Sequence, residues 1–367
     1  MSHTNSDRTW RWCFYVNLPL GGFAILVTLA FLHVDRPQRD ELSALDPLRR
    51  FDPMGILCLV PAIICLMLAL QWGGTIYAWK SSHIIGLFVG AGLLFLIFIA
   101  VEVQSPAIAI APMRVVLNRS VAGAMTYTFL LSGGMTTVIY YLAIWFQVAK
   151  GDTAIHAGVS TIPMLLALVV ASCFGAAFTQ KVGYYVPPML LSSILCAIGA
   201  GLLSTLKPDS YHGYWMGYQV LYGFGIGIGF QNSNLAVQNV LKRADVPLGM
   251  AVMFLMQQLG GAVFLAVAQG IFSNALLDRL SGVASLNAER IINTGATDLR
   301  NIVPSDELDM VIMSYSFALT RTFLMTAVIS AVMLVGPFAM EWKNIKVTKA
   351  ADAVASSNQR GEKADGH

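Results

Sequence analysis

The stretch GYQVLYGFGIGIGFQNSNLAVQNVLKRADVPLGMAVMFLMQQLGGAVFLAVAQGIFSNAL, residues 217–276, decides the fold. It is two long apolar segments joined by a charged hinge, KRADVPLG, residues 242–249. Each segment exceeds the roughly 20 residues that a helix needs to cross the hydrocarbon of a bilayer. Each also carries amides, and polar side chains persist in a membrane when they face protein or water. In the first segment Gly227, Gln231, Asn234 and Gln238 recur at steps of four, three and four, which keeps them on one helical face. In the second, Gln258 and Gln269 stand about three turns apart, with Gly261 and Leu265 on the same side. The pattern predicts two helices that line a shared polar cavity inside a bundle.

Composition agrees with a membrane setting. Hydrophobic residues make up 56% of the chain and charged ones 12%, against roughly 25% charged in soluble domains. The net charge of +3 comes from dispersed lysines and arginines, which argues against a nucleic-acid partner. Cys58, Cys65, Cys173 and Cys196 lie inside apolar segments and Cys13 opens one, with neither disulfide nor zinc spacing, so all five read as packing residues and no metal is expected. The first apolar run begins near Trp12 and lacks a small-residue cleavage site, so it is expected to stay as a helix.

Working outward, runs of bilayer length fall at about 12–34, 53–72, 84–103, 121–148, 158–179, 187–206, 214–240, 249–274 and 317–340. The fold expected is all-α and polytopic, with about nine transmembrane helices and termini on opposite sides. One set of alternate loops and ends holds fourteen lysines and arginines and the other eight, with Arg321 left at the start of the last span. The positive-inside rule then puts the N-terminus outside and the tail in the cytoplasm. An N-terminus outside without a signal peptide suggests further spans before residue 1. Leu276, Leu277, Leu280 and Val283 give the loop at 275–316 a short amphipathic start suited to lying on the outer surface. Trp145, Tyr141, Trp215 and Tyr211 fall near span boundaries, as interfacial aromatics do. The tail after Trp342 is polar and lacks aromatics, which predicts disorder.

The alternating glycines Gly223, Gly225, Gly227 and Gly229 imitate a nucleotide loop, but no strand precedes them and no lysine follows. As two small-xxx-small pairs they fit close helix packing, with Gly261 doing the same on the next helix. Gln231, Asn234, Gln238 and Gln258 read either as substrate contacts or as interhelical hydrogen bonds. Thr137, Tyr141 and Trp145 repeat every four residues and either face a bulky ligand or, for the last two, anchor at the interface. No catalytic residue is identified: the six histidines lie in loops, tails or span ends, and no acidic residue lies near the middle of a span, Glu102 being at an edge. An intramembrane enzyme is therefore disfavoured. The only glycosylation sequon, Asn118-Arg119-Ser120, falls on the expected cytoplasmic side.

WRWCFYVNLPLGG (residues 10–22), QQLGGAVFLAVAQGIFSNAL (257–276) and GATDLRNIVPSDEL (295–308) strongly resemble the fungal fourteen-span drug:proton antiporters of the major facilitator superfamily, the group that includes mycotoxin efflux pumps. The resemblance runs from Trp10 to about Trp342. It implies spans six to fourteen of that architecture: a segment at 1–34 with the last helix of a first bundle, a linker and two extra helices at 35–112, a complete six-helix C-terminal bundle at 113–342, and a cytoplasmic tail at 343–367. TQKVG (179–183) takes the place of the family's cytoplasmic loop motif, but Gln180 stands where an aspartate is expected, so Lys181 and Gly183 alone match.

What the resemblance implies is export of small amphipathic compounds or toxins, with the proton gradient rather than a cofactor as energy source. The setting implied is the plasma membrane, with a vacuolar or vesicle membrane as the other option. Alternating access needs two bundles rocking around a central site, so the alternative reading is a non-transporting remnant, or a half-transporter that needs a partner such as a missing N-terminal bundle.

Overall fold

Backbone amides in hydrocarbon have no water to bond, so a chain this apolar resolves into helices. The computed structural model describes residues 15–32, 52–74, 76–104, 113–243, 245–280, 303, 305–344 and 346. It divides into two compact units, Met1–Phe51 and Asp52–His367. The first contains α1 (Asn17–Phe31), an apolar helix of 15 residues. The linker beyond it, the expected outer-surface position of Val283 and nearly all of the tail lie outside the described residues.

The second unit opens with α2 (Pro53–Trp72) and α3 (Ser82–Gln104). Asp52 caps α2, its carboxylate accepting from the Gly55 amide at 2.7 Å, and Pro53 occupies the first turn, where a missing N–H costs nothing. The turn between the two helices is tight, with Gly74 at φ +75° and Tyr77 stacked on His83. α2 and α3 pack on each other along their length, and α2 also touches the seventh long helix of this unit, described below.

After a single turn, α4 (Met113–Val116), Asn118 caps α5 (Arg119–Trp145) by accepting from the Ser120 amide. α5 runs on as a π-helical turn, Phe146–Lys150, and stops at Gly151 (φ 71°). α6 (Ala154–Ser160) and α7 (Ile162–Val182) form one span, closed by Gly183 at φ +90°, whose N–H returns to the Thr179 carbonyl. Then follow α8 (Val186–Leu203), with Pro187 and Pro188 in its first turn, α9 (His212–Val240), α10 (Val246–Leu280), α11 (Ser305–Val332) and the short α12 (Val335–Ala339).

Among the described residues seven helices are long and apolar enough to cross a membrane. α9, at 29 residues, is as long as these, but its glycines, tyrosines and amides dilute its hydropathy. α9 packs mainly on α7 and α8, α10 on α5, and α11 on α8, α5 and α10. The interior they enclose includes the fully buried side chains of Tyr127, Tyr141, Trp145, Phe146, Tyr222 and Phe323. Large apolar side chains such as Phe174, Leu166, Phe254 and Val328 point outward instead, which suits contact with lipid and would be costly in water.

Two sequence expectations need correction. Trp145 and Trp215 are buried rather than interfacial: Trp145 donates to Ser316 Oγ at 3.2 Å, and Trp215 stacks edge-on against Phe146. Leu276 and Leu280 do not start a surface helix, because α10 continues through them and both are buried. The last helix begins at Ser305, ahead of the apolar run at 317–340, so Arg321 lies within a longer helix than that run alone.

The glycine ladder sets how closely α9 approaches its neighbours. A methyl group added at Gly223 or Gly227 would collide with the α7 carbonyls of Met164 or Leu168, and one at Gly225 would lie 2.8 Å from the Cys196 amide nitrogen on α8. At Gly229 it would strike Tyr127 and Ser192, which are hydrogen-bonded to each other at 2.8 Å. Gly217, on the same helix, has nothing within 4 Å. Gly223→Ala and Gly227→Ala are expected to destabilise by about 1–3 kcal/mol through overpacking. Gly217→Ala should be neutral or stabilising by up to about 1 kcal/mol. Thermal unfolding of the three variants in detergent checks the contrast.

Candidate functional site

α9 and α10 carry the amides that the sequence singles out, and the structure separates them by environment. Gln231 and Gln238 on α9 and Gln258 on α10 are exposed, while Asn234 is half-buried. Gln238 Nε2 makes one long contact, 3.6 Å, to the sulfur of Met250 across the hinge between the two helices. Gly227 shares their face, yet it is buried against α7. The face therefore starts as a packing surface and opens one turn later. Gly261 lies inside the α5–α10 contact, where an added Cβ would meet Thr136 Oγ1 at 2.9 Å.

Thr137 and Tyr141 do not join those amides on an open surface. Thr137 is wholly buried and its hydroxyl donates to the Gly133 carbonyl of its own helix at 2.8 Å. Tyr141 is buried too, its hydroxyl donating to Gln269 Oε1 on α10 at 2.9 Å, with its ring against Phe272. The Tyr141 bond joins α5 to α10, and both hydroxyls are already engaged. Gln269 is thus an interhelical bond, although the spacing set it beside Gln258.

Sequence reasoning passed over Asn232, between two amides it chose. Asn232 is fully buried, and its Oδ1 accepts from Thr179 Oγ1 of α7 at 2.6 Å while its Nδ2 donates to the Ile228 carbonyl. A one-residue step turns a helical position by about 100°, so Gln231 and Asn232 look in different directions. Gln219, also on α9, is fully buried with neither amide atom bonded among the described residues, and the same holds for the indole nitrogen of Trp215 one turn earlier. The signal that could have found them was their position beside the glycine-rich contact face.

At the end expected to be cytoplasmic, basic side chains hold main-chain carbonyls. Arg119 donates to Ala339 at 2.6 Å and Lys346 to the Lys181 carbonyl at 2.6 Å. A side chain at Gly183 would collide with Asn344, so the matched loop residues are packed by the segment after α12. Tyr185 donates to the Glu341 carbonyl at 2.6 Å, and burial pushes its phenol above the usual range. Lys343, 2.7 Å from the Glu341 carboxylate, holds that group below its usual range. Arg114 reaches Asp245 in the hinge between α9 and α10 at 2.8 Å. Among the described residues no cluster of histidine, cysteine and carboxylate could hold a metal.

Asn232→Ala leaves the Thr179 hydroxyl without its buried acceptor, a loss of about 1–3 kcal/mol. Gln231→Ala, on an exposed position, should stay within about 0.5 kcal/mol. Comparing the unfolding midpoints of the two variants tests whether the neighbouring amides differ as their burial says.

Known proteins give this arrangement a family. The model of the Major Facilitator Superfamily matches residues 2–265. The chain is 43% identical over 345 residues to the efflux pump roqT of Penicillium rubens, covering 93% of this chain and 64% of that protein. It is 41% identical over 341 residues to the MFS-type transporter VdtG of Byssochlamys spectabilis, covering 93% and 61%. It is 38% identical over 338 residues to the rubrofusarin-specific efflux pump aurT of Gibberella zeae, covering 92% and 62%. In each case the chain spans less than two thirds of the relative's length. A match of this extent, on a fold built from membrane-length helices, settles the family: the chain belongs to the major facilitator superfamily, beside fungal efflux pumps, and is an integral multi-pass membrane protein rather than an enzyme.

Proposed function

We propose that the chain supplies one wall of an efflux pathway for small amphipathic molecules, with the exposed amide face of α9 and α10 turned toward a second helical bundle. The observation that carries this reading is the placement of Gln231, Gln238 and Gln258 on exposed helix surfaces in a chain that otherwise turns apolar side chains outward. An amide facing lipid is costly, whereas one facing a wet crevice bonds water or substrate. The names of the relatives, efflux pumps among them, support export as the direction. In this reading Lys181 and Gly183 belong to the cytoplasmic gate, the plasma membrane is the site of action, and the proton gradient drives exchange.

Rocking requires two bundles, so the experiment co-expresses this chain with the N-terminal half of the efflux pump roqT. Inside-out vesicles with an acidified lumen should accumulate the fluorescent amphiphile rhodamine 6G, and a protonophore should abolish the uptake. Replacing Gln231 and Gln258 with leucine should lower the rate about tenfold, as loss of roughly 1.4 kcal/mol of pathway contacts would. Uptake that never exceeds that of empty vesicles would overturn the reading.

Orientation has its own check. With the Asn118 sequon in the cytoplasm, glycosidase treatment of the protein from a eukaryotic host should leave its electrophoretic mobility unchanged. A shift that disappears in Asn118→Gln would reverse the topology.

A further inference from the structure

The last turn of α10 and the interior of α11 meet around one aromatic ring. The guanidinium carbons of Arg279 and Arg321 lie 4.0 and 4.6 Å from the centroid of Phe317, inside the ~6 Å at which a ring holds a cation. Two positive charges are thus kept within about one Debye length, ~8–10 Å, of each other. The salt bridges among the described residues, Arg114 with Asp245 and Lys343 with Glu341, involve neither. Arg321 stands on α11 where its apolar run begins, a place where a cationic side chain suits a ligand, a partner or a water-filled path.

The surroundings have the form of a binding site. A cavity of about 650 Å³ is lined by Arg279, Phe317 and Arg321 together with Asn274, Asp278 and the apolar Ile271 and Ala275. Asp278 is itself engaged. A neighbouring cavity of about 810 Å³ shares Arg279 and Phe317 and adds Lys207, Asp209 and the hydroxyls of Ser314 and Thr320. Both are open grooves, wide enough to hold a small aromatic acid along one wall. Three cationic side chains, Arg279, Arg321 and Lys207, stand against the two carboxylates of Asp278 and Asp209, a balance of one positive charge, and the fork geometry of arginine matches a planar oxyanion.

We propose that Arg279 and Arg321, held against Phe317, form a binding site for organic anions, specifically a carboxylate carried on a flat apolar body. The carboxylate bonds the guanidinium groups and relieves their mutual repulsion, while its apolar body lies against Phe317, Ile271 and Ala275. This adds organic anions to the amphiphiles of the export reading above, on which it rests for its biological meaning. Its test measures binding alone, so failure of transport and failure of the site are distinguishable.

The full chain is reconstituted in phosphatidylcholine nanodiscs and titrated with 1-naphthoate and its neutral counterpart 1-naphthylmethanol. Naphthoate should bind about tenfold more tightly and lose affinity as salt is raised. Arg279→Gln and Arg321→Gln should each remove that preference, and Arg321→Lys should keep part of it. Because the salt dependence is read on the unaltered chain, a variant that fails to fold leaves the proposal open to refutation. Equal affinity for the two probes, or affinity indifferent to salt, overturns it. So does naphthoate binding that vanishes when phosphatidylglycerol replaces part of the phosphatidylcholine, which would assign the arginines to a lipid phosphate.

Discussion

The close approach of α9 to α7 and α8 is the constraint on which the rest of the bundle depends. Lipid tails are as apolar as leucine, so helices in a membrane gain little by hiding apolar surface from one another. What holds them is van der Waals contact and interhelical hydrogen bonding, and both require short distances. Four glycines bring α9 onto two neighbours at once, two facing α7 and two facing α8. Once the backbones are that close, Asn232 can reach Thr179, and Tyr127 can reach Ser192 past Gly229.

That packing also decides which amides are free for other work. Within one stretch of α9, Asn232 is used up in the α7 contact while Gln231 and Gln238 remain exposed. On α10 the division repeats: Gln269 accepts from Tyr141, while Gln258 is exposed. Of these five amides, two bind helix to helix and the others remain exposed.

The spans were legible in the sequence because about 20 consecutive apolar residues leave few alternatives. Helix ends were less so. The run at 317–340 hid a helix starting at Ser305, because Glu307 and Asp309 depress hydropathy without breaking the helix. The glycine spacing was readable as packing. Which neighbour each glycine met was not, since partner identity is a tertiary property. The amides were the hardest to judge: a period of 3.6 places residues on a face, but it does not say whether that face meets protein. Thr137 and Tyr141 show this, as their regular spacing is that of a buried contact. The two arginines on Phe317 escaped notice because they are distant in sequence and come together only through the α10–α11 crossing.

Lys150, at the end of the π turn, has a quieter role. Its ammonium donates to the carbonyls of Pro208 and Ser210 at 2.8 and 2.9 Å, tying the end of α5 to the loop between α8 and α9. The acceptors are main-chain oxygens, which take up no proton at any pH a cell meets. A latch made with a carboxylate would slacken in acid. This one keeps its acceptors intact on whichever side of the membrane turns acidic, so the helix ends stay buckled while the gradient that would power such a machine rises and falls.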